Sequence, residues 1–414
     1  MTLWAPWSLR ELVAELDSGA TTAPAALERS RQRVATTEPE IEAWVRHDVD
    51  VAIPSAGRLR GVPFGVKDII DVAGAPTRLG SARHDAAPPS ELDAPVVSAW
   101  RATGAVPVGK TVTAEYAFFT PGPTRNPANP GHTPGSSSSG SAAAVAAGQV
   151  PLAIGTQTGG SATRPASYCG IASLTMAPGR LPFDGVFAMS RTLDSHGVFA
   201  ATVSDLALAW AALTAADDVG ARPGRPPRLL LWTGESLGVL TAAMAARVAA
   251  AAPDLQAAGA TVDRFPLAEV ISELVDAHAV VLRHEIRTER AGELAVADQL
   301  GERWTRLRDE AAATGPADYE SAQAAIRAGL AQVRAVLEGY DAILGPAATG
   351  AAPEGLAATG DPVMSLAWQA LGLPAVGVPG RRDGAGLPLG LQLVARDESA
   401  ALRAGVWVEQ HLRS

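Results

Sequence analysis

Apolar residues recur at helical spacing near the start of the chain. The residues that repeat in this way are Leu9, Leu12, Val13 and Leu16. Ser8 precedes the repeat, and Glu11 stands where the second member of a capping box is found at a helix start. Gly19 follows the repeat, and glycine commonly closes a helix. The pattern therefore predicts an amphipathic helix that begins after Ser8 and ends before Gly19.

Short apolar runs alternate with helical patterns along the rest of the chain. The runs VPFGVK, AVPV and PLAIG have the length and composition of buried strands. Residues 205–340 have mostly helical patterns, with RLLLW and ATVDRFPL as strands. Strands that alternate with helices are typical of an α/β domain. At 414 residues, one large domain and two medium domains are both open.

Composition and charge narrow the class of protein. Apolar residues make up 47% of the chain and charged residues 19%, as in a folded globular protein. The net charge of −9 argues against binding to nucleic acid or to an anionic membrane, so we expect a small molecule as the partner. No apolar run approaches the roughly 18 residues of a membrane span, and the first residues lack the pattern of a secretory signal. We therefore expect a cytoplasmic protein.

The cysteine and histidine content limits redox and metal chemistry. Cys169 is the only cysteine, so the chain forms no internal disulfide, and we predict Cys169 to be a core residue. The seven histidines are His47, His84, His132, His196, His278, His284 and His411. They form no HExxH or HxH cluster, so we expect no metal site.

Lysine is rare in this chain, since Lys67 and Lys110 are the only lysines among 34 basic residues. Only an amine can become neutral near pH 7, so a lysine that persists where arginine dominates is a candidate base. Lys110 lies in GAVPVGKT, which matches the phosphate-loop pattern, but its apolar run predicts a strand where that loop would be open. We therefore predict a structural role for Lys110. Lys67 ends the run VPFGVK, either as a surface lysine or as a buried base.

The segment TPGSSSSGSAAA, residues 133–144, has the composition of a flexible linker. It lies between ordered elements, however, since a short alanine-rich helix that stops at Gly148 and the strand-like PLAIG follow it. Gly159 and Gly160 then directly precede Ser161. Such a turn can aim successive backbone N–H groups at one point, as an oxyanion requires.

Three segments together resemble a known family. GVPFGVKDIID, TRNPANPGHTPGSSSSGSAAAVAAG and VPLAIGTQTGGSATRPASYCGI are similar to the amidase signature family of serine hydrolases, which use a Ser-cisSer-Lys triad. The similarity is close over residues 60–200 and weaker over the rest of the chain. GTQTGGS followed by RPA, and the late TGDP, are most similar to the malonamidase-like members. The resemblance implies a single α/β domain over residues 1–414, a mixed β-sheet core covered by α-helices. Its signature core spans about 60–200, a helical cover about 205–340 and a return to the sheet 341–414.

The same resemblance implies a role for each motif residue. Ser161 matches the nucleophile that forms the acyl-enzyme, Ser137 the bridging serine preceded by a cis peptide, and Lys67 the base. The oxyanion hole falls on the backbone N–H groups of Thr158, Gly159, Gly160 and Ser161. In the malonamidase-like members, the arginine that matches Arg164 holds the free carboxylate of the substrate. This chemistry needs no metal and no organic cofactor.

The implied function is hydrolysis of the carbon–nitrogen bond of a small amide, with Arg164 selecting an acid amide. Carbamate (urethane) and ureido (allophanate-like) compounds would use the same triad and remain alternatives. An amidotransferase-type subunit that works with a partner is the alternative from another class, although the negative charge counts against a tRNA partner. A homodimer remains open.

Two residues depart from the family pattern. Ser136 stands where the family usually has a second glycine, so Ser136 and Ser138 stay alternatives to Ser137 as the bridging residue. His196 stands where the family often has threonine or valine. We expect His196 to be a structural histidine that does not contact the substrate.

Overall fold

The computed structural model describes residues 2–47, 53–54, 56–118, 120–221 and 224–412. The strands are β1 (Trp44–His47), β2 (Pro63–Lys67), β3 (Val106–Thr111), β4 (Leu152–Gln157), β5 (Ala172–Thr175), β6 (Ser195–Ala200), β7 (Arg228–Leu231), β8 (Thr261–Arg264), β9 (Ala342–Pro346), β10 (Ala375–Val378) and β11 (Leu391–Val394). The helices are α1 (Leu9–Ser18), α2 (Ala23–Ile41), α3 (Pro95–Ala102), α4 (Ser139–Ala146), α5 (Thr163–Cys169), α6 (Val203–Thr214), α7 (Ala242–Ala257), α8 (Ala268–Glu289), α9 (Ala291–Ala295), α10 (Ala297–Leu300), α11 (Glu302–Ala313), α12 (Pro316–Leu337), α13 (Val363–Ala370) and α14 (Glu398–Leu412). No helix within the described ranges is long and apolar enough to cross a membrane.

The strands of the described part of the chain form one sheet of eleven, in the order β1-β3-β2-β4-β6-β5-β10-β11-β9-β7-β8. β2 is parallel to β3 and β4, and β7 is parallel to β8 and β9. The other neighbouring pairs are antiparallel. Helices α4, α5, α6 and α14 pack directly on the strands. The predicted fold class, a single α/β domain with a mixed sheet covered by helices, is confirmed.

The elements predicted from apolar patterns are present. Ser8 caps α1 by accepting the N–H of Glu11 at 3.3 Å, and Gly19 closes the helix in the left-handed region at φ +74°. The predicted strands correspond to β2, β3, β4, β7 and β8. These local predictions hold because the buried face of each element supplies its stability.

The parallel strands β3, β2 and β4 place the candidate base beside the glycine turn. Their carboxyl ends meet at one edge of the sheet, which is where ligands bind in open α/β sheets. Lys67 is the last residue of β2, and Gln157 is the last residue of β4. All residues of the three strands are buried. The end of β2 is therefore shielded from water by its neighbours.

Small residues bring α4 very close to the sheet. Every residue of α4 is buried, and the helix consists of serine, glycine, alanine and one valine. At Gly140, a Cβ atom would lie 2.2 Å from the carbonyl oxygen of Ala43 and 2.4 Å from the backbone nitrogen of Val112. The N–H of Gly140 donates to the carbonyl of Val112 at 2.9 Å. The serine stretch is therefore part of the ordered core and not a linker.

Lys110 holds a buried ion pair. Its Nζ lies 2.8 Å from Oδ1 of Asp68, and the side chains of Lys110 and Asp68 are 1% and 0% exposed. The ammonium group also donates to Oγ1 of Thr77 at 2.8 Å and to the carbonyl of Pro76 at 3.3 Å. Residues 106–111 form β3, so the chain has no open phosphate loop there. These contacts support the structural role predicted for Lys110.

We expect Lys110→Met to lower the free energy of unfolding by about 3–5 kcal/mol, because the substitution leaves the buried Asp68 carboxylate without its cation. Urea unfolding followed by circular dichroism measures the change. Arg31→Met is the control, since Arg31 and Glu28 form a 3.0 Å pair whose side chains are both more than half exposed. Loss of that exposed pair should leave the urea midpoint almost unchanged. A Lys110→Met protein as stable as wild type would contradict the structural role.

Candidate active site

One pocket brings together most of the motif residues. It encloses about 490 Å³ of space that no protein atom fills, part of it open to solvent. The motif residues that line it are Ser136, Thr158, Gly159, Gly160, Ser161 and Arg164. The remaining lining residues are Ala117, Phe118, Met189, His278, Leu282, Pro362 and Leu366. Lys67 and Ser137 do not line the pocket, but Ser137 directly follows its lining residue Ser136.

Lys67 is completely buried and hydrogen-bonded to Ser137. Its Nζ donates to Oγ of Ser137 at 2.7 Å and to Oγ1 of Thr156 at 2.9 Å. Burial lowers the pKa of the Lys67 amine to about 7, against the opposing charge of Asp194. A substantial neutral fraction near pH 7 leaves the amine a lone pair that can accept a proton.

The three neighbouring serines have different contacts. The peptide bond between Ser136 and Ser137 is cis, at the position that the resemblance implies. Ser137 is hydrogen-bonded to Lys67, whereas Oγ of Ser138 donates to the carbonyl of Thr156 at 3.2 Å. The carbonyl of Ser136 accepts a hydrogen bond from Arg164. The contact with Lys67 thus distinguishes Ser137 from Ser138.

A buried glutamine holds the turn that leads from β4 to α5. Oε1 of Gln157 accepts the N–H groups of Ala162 and Thr163 at 2.9 and 3.0 Å, on the far side of the turn. Its Nε2 donates to Oε1 of Gln369, on α13, at 3.1 Å. At Gly160, a Cβ atom would lie 3.0 Å from Cα of Pro362. Glycine therefore lets the turn pack closely against the start of α13.

Arg164 lines the pocket and has two buried side-chain donors without a partner among the described residues. Its side chain is 3% exposed, and its Nη2 donates to the carbonyl of Ser136 at 2.8 Å. Nε and Nη1 have no hydrogen-bond partner among the described residues. Burial lowers the pKa of the guanidinium, which stays charged near pH 7. Because buried donors that lack a partner are costly, an anion bonded to Nε and Nη1 would satisfy both of them.

The family model described as Amidase matches residues 26–400 of the chain. The chain belongs to the amidase family. It is 32% identical to the AtzE subunit of 1-carboxybiuret hydrolase from Pseudomonas sp. (strain ADP), over 95% of this chain and 96% of that protein. It is 30% identical to a glutamyl-tRNA(Gln) amidotransferase subunit of Lachnospira eligens, over 97% of both chains. The native peptide amidase from Stenotrophomonas maltophilia has a similar solved structure, with a TM-score of 0.80 and 28% identity over 98% of this chain and 97% of that one.

These similarities confirm the predicted family and the predicted class of enzyme. The amidase is a hydrolase of carbon–nitrogen amide bonds. The closer resemblance to malonamidase-like members is not among these findings and stays a prediction, as do the individual roles of the motif residues.

Sequence reasoning missed two residues of the amidase that contact Thr158. Asp194 is 6% exposed, and its Oδ1 accepts a hydrogen bond from Oγ1 of Thr158 at 2.5 Å. Its Oδ2 accepts the N–H groups of Met189 and Ser190 at 2.7 and 3.1 Å. Burial raises the pKa of Asp194 to about 6, which these hydrogen bonds oppose. The other residue is His278 of α8, whose Nε2 is hydrogen-bonded to the carbonyl of Thr158.

A signal for Asp194 was present in the sequence, but none was present for His278. Asp194 lies in the segment SRTLDSHGVF, within residues 60–200, over which the similarity to the family is close. His278 lies in the helical cover, 120 positions from Thr158, and belongs to no motif. Proximity across such a separation is decided by helix packing.

His196 and Cys169 lie outside the pocket lining. His196 is 3% exposed, its Nε2 is hydrogen-bonded to the carbonyl of Pro182 at 3.1 Å, and its ring is 4.6 Å from that of Phe183. Burial lowers the pKa of His196 to about 4, so the ring is neutral. Cys169 is buried at the end of α5, and burial raises the pKa of its thiol. Both residues have the structural character predicted for them.

Among the described residues, no group of three His, Cys, Asp or Glu side chains could hold a metal ion.

Proposed function

We propose that this amidase hydrolyses a small amide through an acyl-enzyme on Ser161, with Ser137 as the bridging residue and Lys67 as the base. The contact between Lys67 and Ser137 carries the proposal. Lys67 is buried at 0% exposure, its amine is held 2.7 Å from Oγ of Ser137, and burial lowers its pKa to about 7. Ser137 adjoins the pocket that Ser161 lines. A serine hydroxyl is a poor nucleophile unless a base takes its proton, and in this proposal Lys67 takes the proton of Ser161 through Ser137.

The reaction has two matched halves. Lys67 accepts a proton from Ser137 as Ser137 accepts one from Ser161, and Oγ of Ser161 attacks the amide carbonyl. The N–H groups of Thr158 to Ser161 stabilise the oxyanion, and each such donor contributes roughly 3–4 kcal/mol in hydrolases of this kind. The proton returns to the leaving ammonia or amine as the carbon–nitrogen bond breaks. Water then loses its proton along the same path and attacks the ester, which releases the acid and restores Ser161.

Arg164 supports a substrate with a carboxylate. Arg164 lines the same pocket as Ser161, and its Nε and Nη1 have no hydrogen-bond partner among the described residues. Two guanidinium donors match the two oxygens of a carboxylate. Met189, Leu282 and Leu366 give the rest of the pocket apolar walls. A small acid amide, the substrate class of the malonamidase-like members, combines both features.

Ureido and carbamate compounds are the second candidate class of substrate. The relative from Pseudomonas is named a 1-carboxybiuret hydrolase subunit, and its similarity extends over 95% of this chain. The same proton path would serve these compounds, since attack on a carbonyl and departure of nitrogen are common to all three classes. The two relatives described above are named as subunits, so an amidotransferase-type subunit that works with a partner chain remains an alternative. The net charge of −9 argues against a tRNA partner.

Ser161→Ala is expected to abolish covalent labelling by a fluorophosphonate, because the substitution removes the attacking oxygen. Ser137→Ala should slow labelling strongly without preventing it, since the nucleophile remains and only the proton path is lost. Mass spectrometry of the intact protein over time measures both. Labelling of Ser161→Ala at the wild-type rate would show that Ser161 is not the nucleophile. If Ser136→Ala or Ser138→Ala slows labelling more than Ser137→Ala does, Ser137 is not the bridging residue.

Lys67→Arg should abolish turnover and leave the fold intact, because a guanidinium group does not become a neutral base. In the wild type, kcat/KM should fall about tenfold per pH unit below about pH 7, since protonation of Lys67 removes the base as the pH falls through its pKa. A pH series on a small panel of amides and carbamates measures this. Lys110→Arg is the control and should lose less activity. Turnover by Lys67→Arg within a few-fold of wild type at neutral pH would remove Lys67 from the mechanism.

Arg164→Ala should lower kcat/KM for acid amides, with a loss of transition-state stabilisation of roughly 2–5 kcal/mol. Neutral amides should be spared, because only the charged substrates lose ionic hydrogen bonds. Steady-state kinetics on matched pairs of acid and neutral amides measures the difference. Thermal unfolding of the variant serves as the control. A uniform loss over both kinds of amide, or a collapse in stability, would show instead that Arg164 is a structural residue.

A further inference from the structure

Helix α8 contacts the glycine turn through His278. The side chain is 2% exposed and lines the pocket, and its Nε2 lies 2.7 Å from the carbonyl oxygen of Thr158. A carbonyl oxygen only accepts hydrogen bonds, so Nε2 carries the proton and donates it. Burial lowers the pKa of His278 to about 4, so the ring is a neutral donor at pH 7.

The carbonyl that His278 binds belongs to the peptide group that also contains the N–H of Gly159. A peptide group is planar, and in the trans form its C=O and N–H point in opposite directions. A contact that fixes the carbonyl therefore fixes the direction of the Gly159 N–H as well. A hydrogen bond accepted by the carbonyl also polarises the group and strengthens the N–H as a donor. Glycine has no side chain that could hold this orientation by packing.

A second contact ties α8 to the same turn by another route. Glu285 accepts hydrogen bonds from Oγ of Ser190 at 2.6 Å and from N and Oγ1 of Thr192 at 3.0 and 2.8 Å. The hydroxyl of Tyr319, on α12, donates to the same carboxylate at 2.9 Å. Glu285 follows His278 by about two helical turns, so both lie on one face of α8. Ser190 and Thr192 lie in the loop that Asp194 closes by accepting the N–H groups of Met189 and Ser190.

We propose that His278 is a positioning residue for the oxyanion hole. A closed ring of hydrogen bonds runs from His278 to Thr158, from Thr158 to Asp194, from Asp194 to Ser190, and from Ser190 through Glu285 back to α8. The ring holds Thr158 at its carbonyl and at its hydroxyl. The helical cover and the turn thus form one unit that sets the direction of the Gly159 N–H. This inference rests on the proposed function, since it presumes that this N–H stabilises the oxyanion.

His278→Leu should lower kcat about ten- to a hundredfold, a part of what loss of a whole oxyanion donor costs, and change KM less than about threefold. The rate of fluorophosphonate labelling at Ser161 should fall in parallel, because the phosphoryl oxygen needs the same donors. His278→Gln should recover most of the loss, since Nε2 of glutamine can also donate to the carbonyl of Thr158. A merely structural role would not produce this rescue.

His411→Leu is the matched control, because Nδ1 of His411 is hydrogen-bonded to the backbone carbonyl of Trp407 in α14. That variant should keep the wild-type kcat and labelling rate. If His278→Leu does not fold, Glu285→Gln tests the same ring, since an amide cannot accept all of the hydrogen bonds that the carboxylate accepts. It should lower kcat about three- to tenfold at unchanged KM.

Three results would overturn the positioning role. They are wild-type kcat in His278→Leu, no recovery in a folded His278→Gln, and wild-type kcat in Glu285→Gln. Failure of the proposed function has a different signature, since the wild-type enzyme would then not be labelled at Ser161 at all. A wild type that is labelled at Ser161, together with a His278→Leu variant labelled at the same rate, leaves the proposed function intact and rejects only this inference.

Discussion

The desolvation of one amine is the constraint on which the site depends. Lys67 ends β2 between two parallel neighbours, and burial lowers its pKa to about 7. An ammonium group in water would stay protonated and could not act as a base near neutral pH. Gly140 lets α4 pack closely against Ala43 and Val112 at this edge of the sheet, and Ser137, just before α4, contacts the amine. Removing water from Lys67 and delivering Ser137 to it are consequences of the same packing.

Buried polar groups of the amidase differ in whether neighbouring residues satisfy their hydrogen bonds. Lys110 has Asp68, and Glu285 accepts four hydrogen bonds from neighbouring residues. Arg164 has one hydrogen bond and two donors without a partner among the described residues. Because an unsatisfied buried donor costs free energy, its position at the pocket favours a ligand that completes it. The presence or absence of partners within the protein thus separates a structural cation from a binding one.

Much of the fold and part of the candidate site could be predicted from short stretches of sequence. Apolar runs predicted β2, β3 and β4, and the glycines before Ser161 predicted a turn at the end of β4. Asp194, His278 and Gln369 were missed as contacts of this turn. They lie 36 and 120 positions from Thr158, and 212 positions from Gln157, respectively. Patterns over a few residues carry no information about contacts between residues so far apart in the sequence. These contacts form only when separate helices and loops pack on the sheet.

The sequence by itself determined which residues could act and where the chain would form strands, because those properties depend on side-chain chemistry and on periodicity over a few residues. Only the tertiary structure decided what the two lysines do. Lys67 is the last residue of a buried strand and Lys110 is the last but one, yet Lys110 meets a carboxylate at 2.8 Å and Lys67 meets two hydroxyl groups. Burial lowers the pKa of both amines, but at Lys110 the bonded Asp68 carboxylate opposes this shift, whereas at Lys67 the opposing charge is that of Asp194, which does not bond the amine. The protonation of a lysine is set by neighbours that the fold delivers from distant parts of the chain.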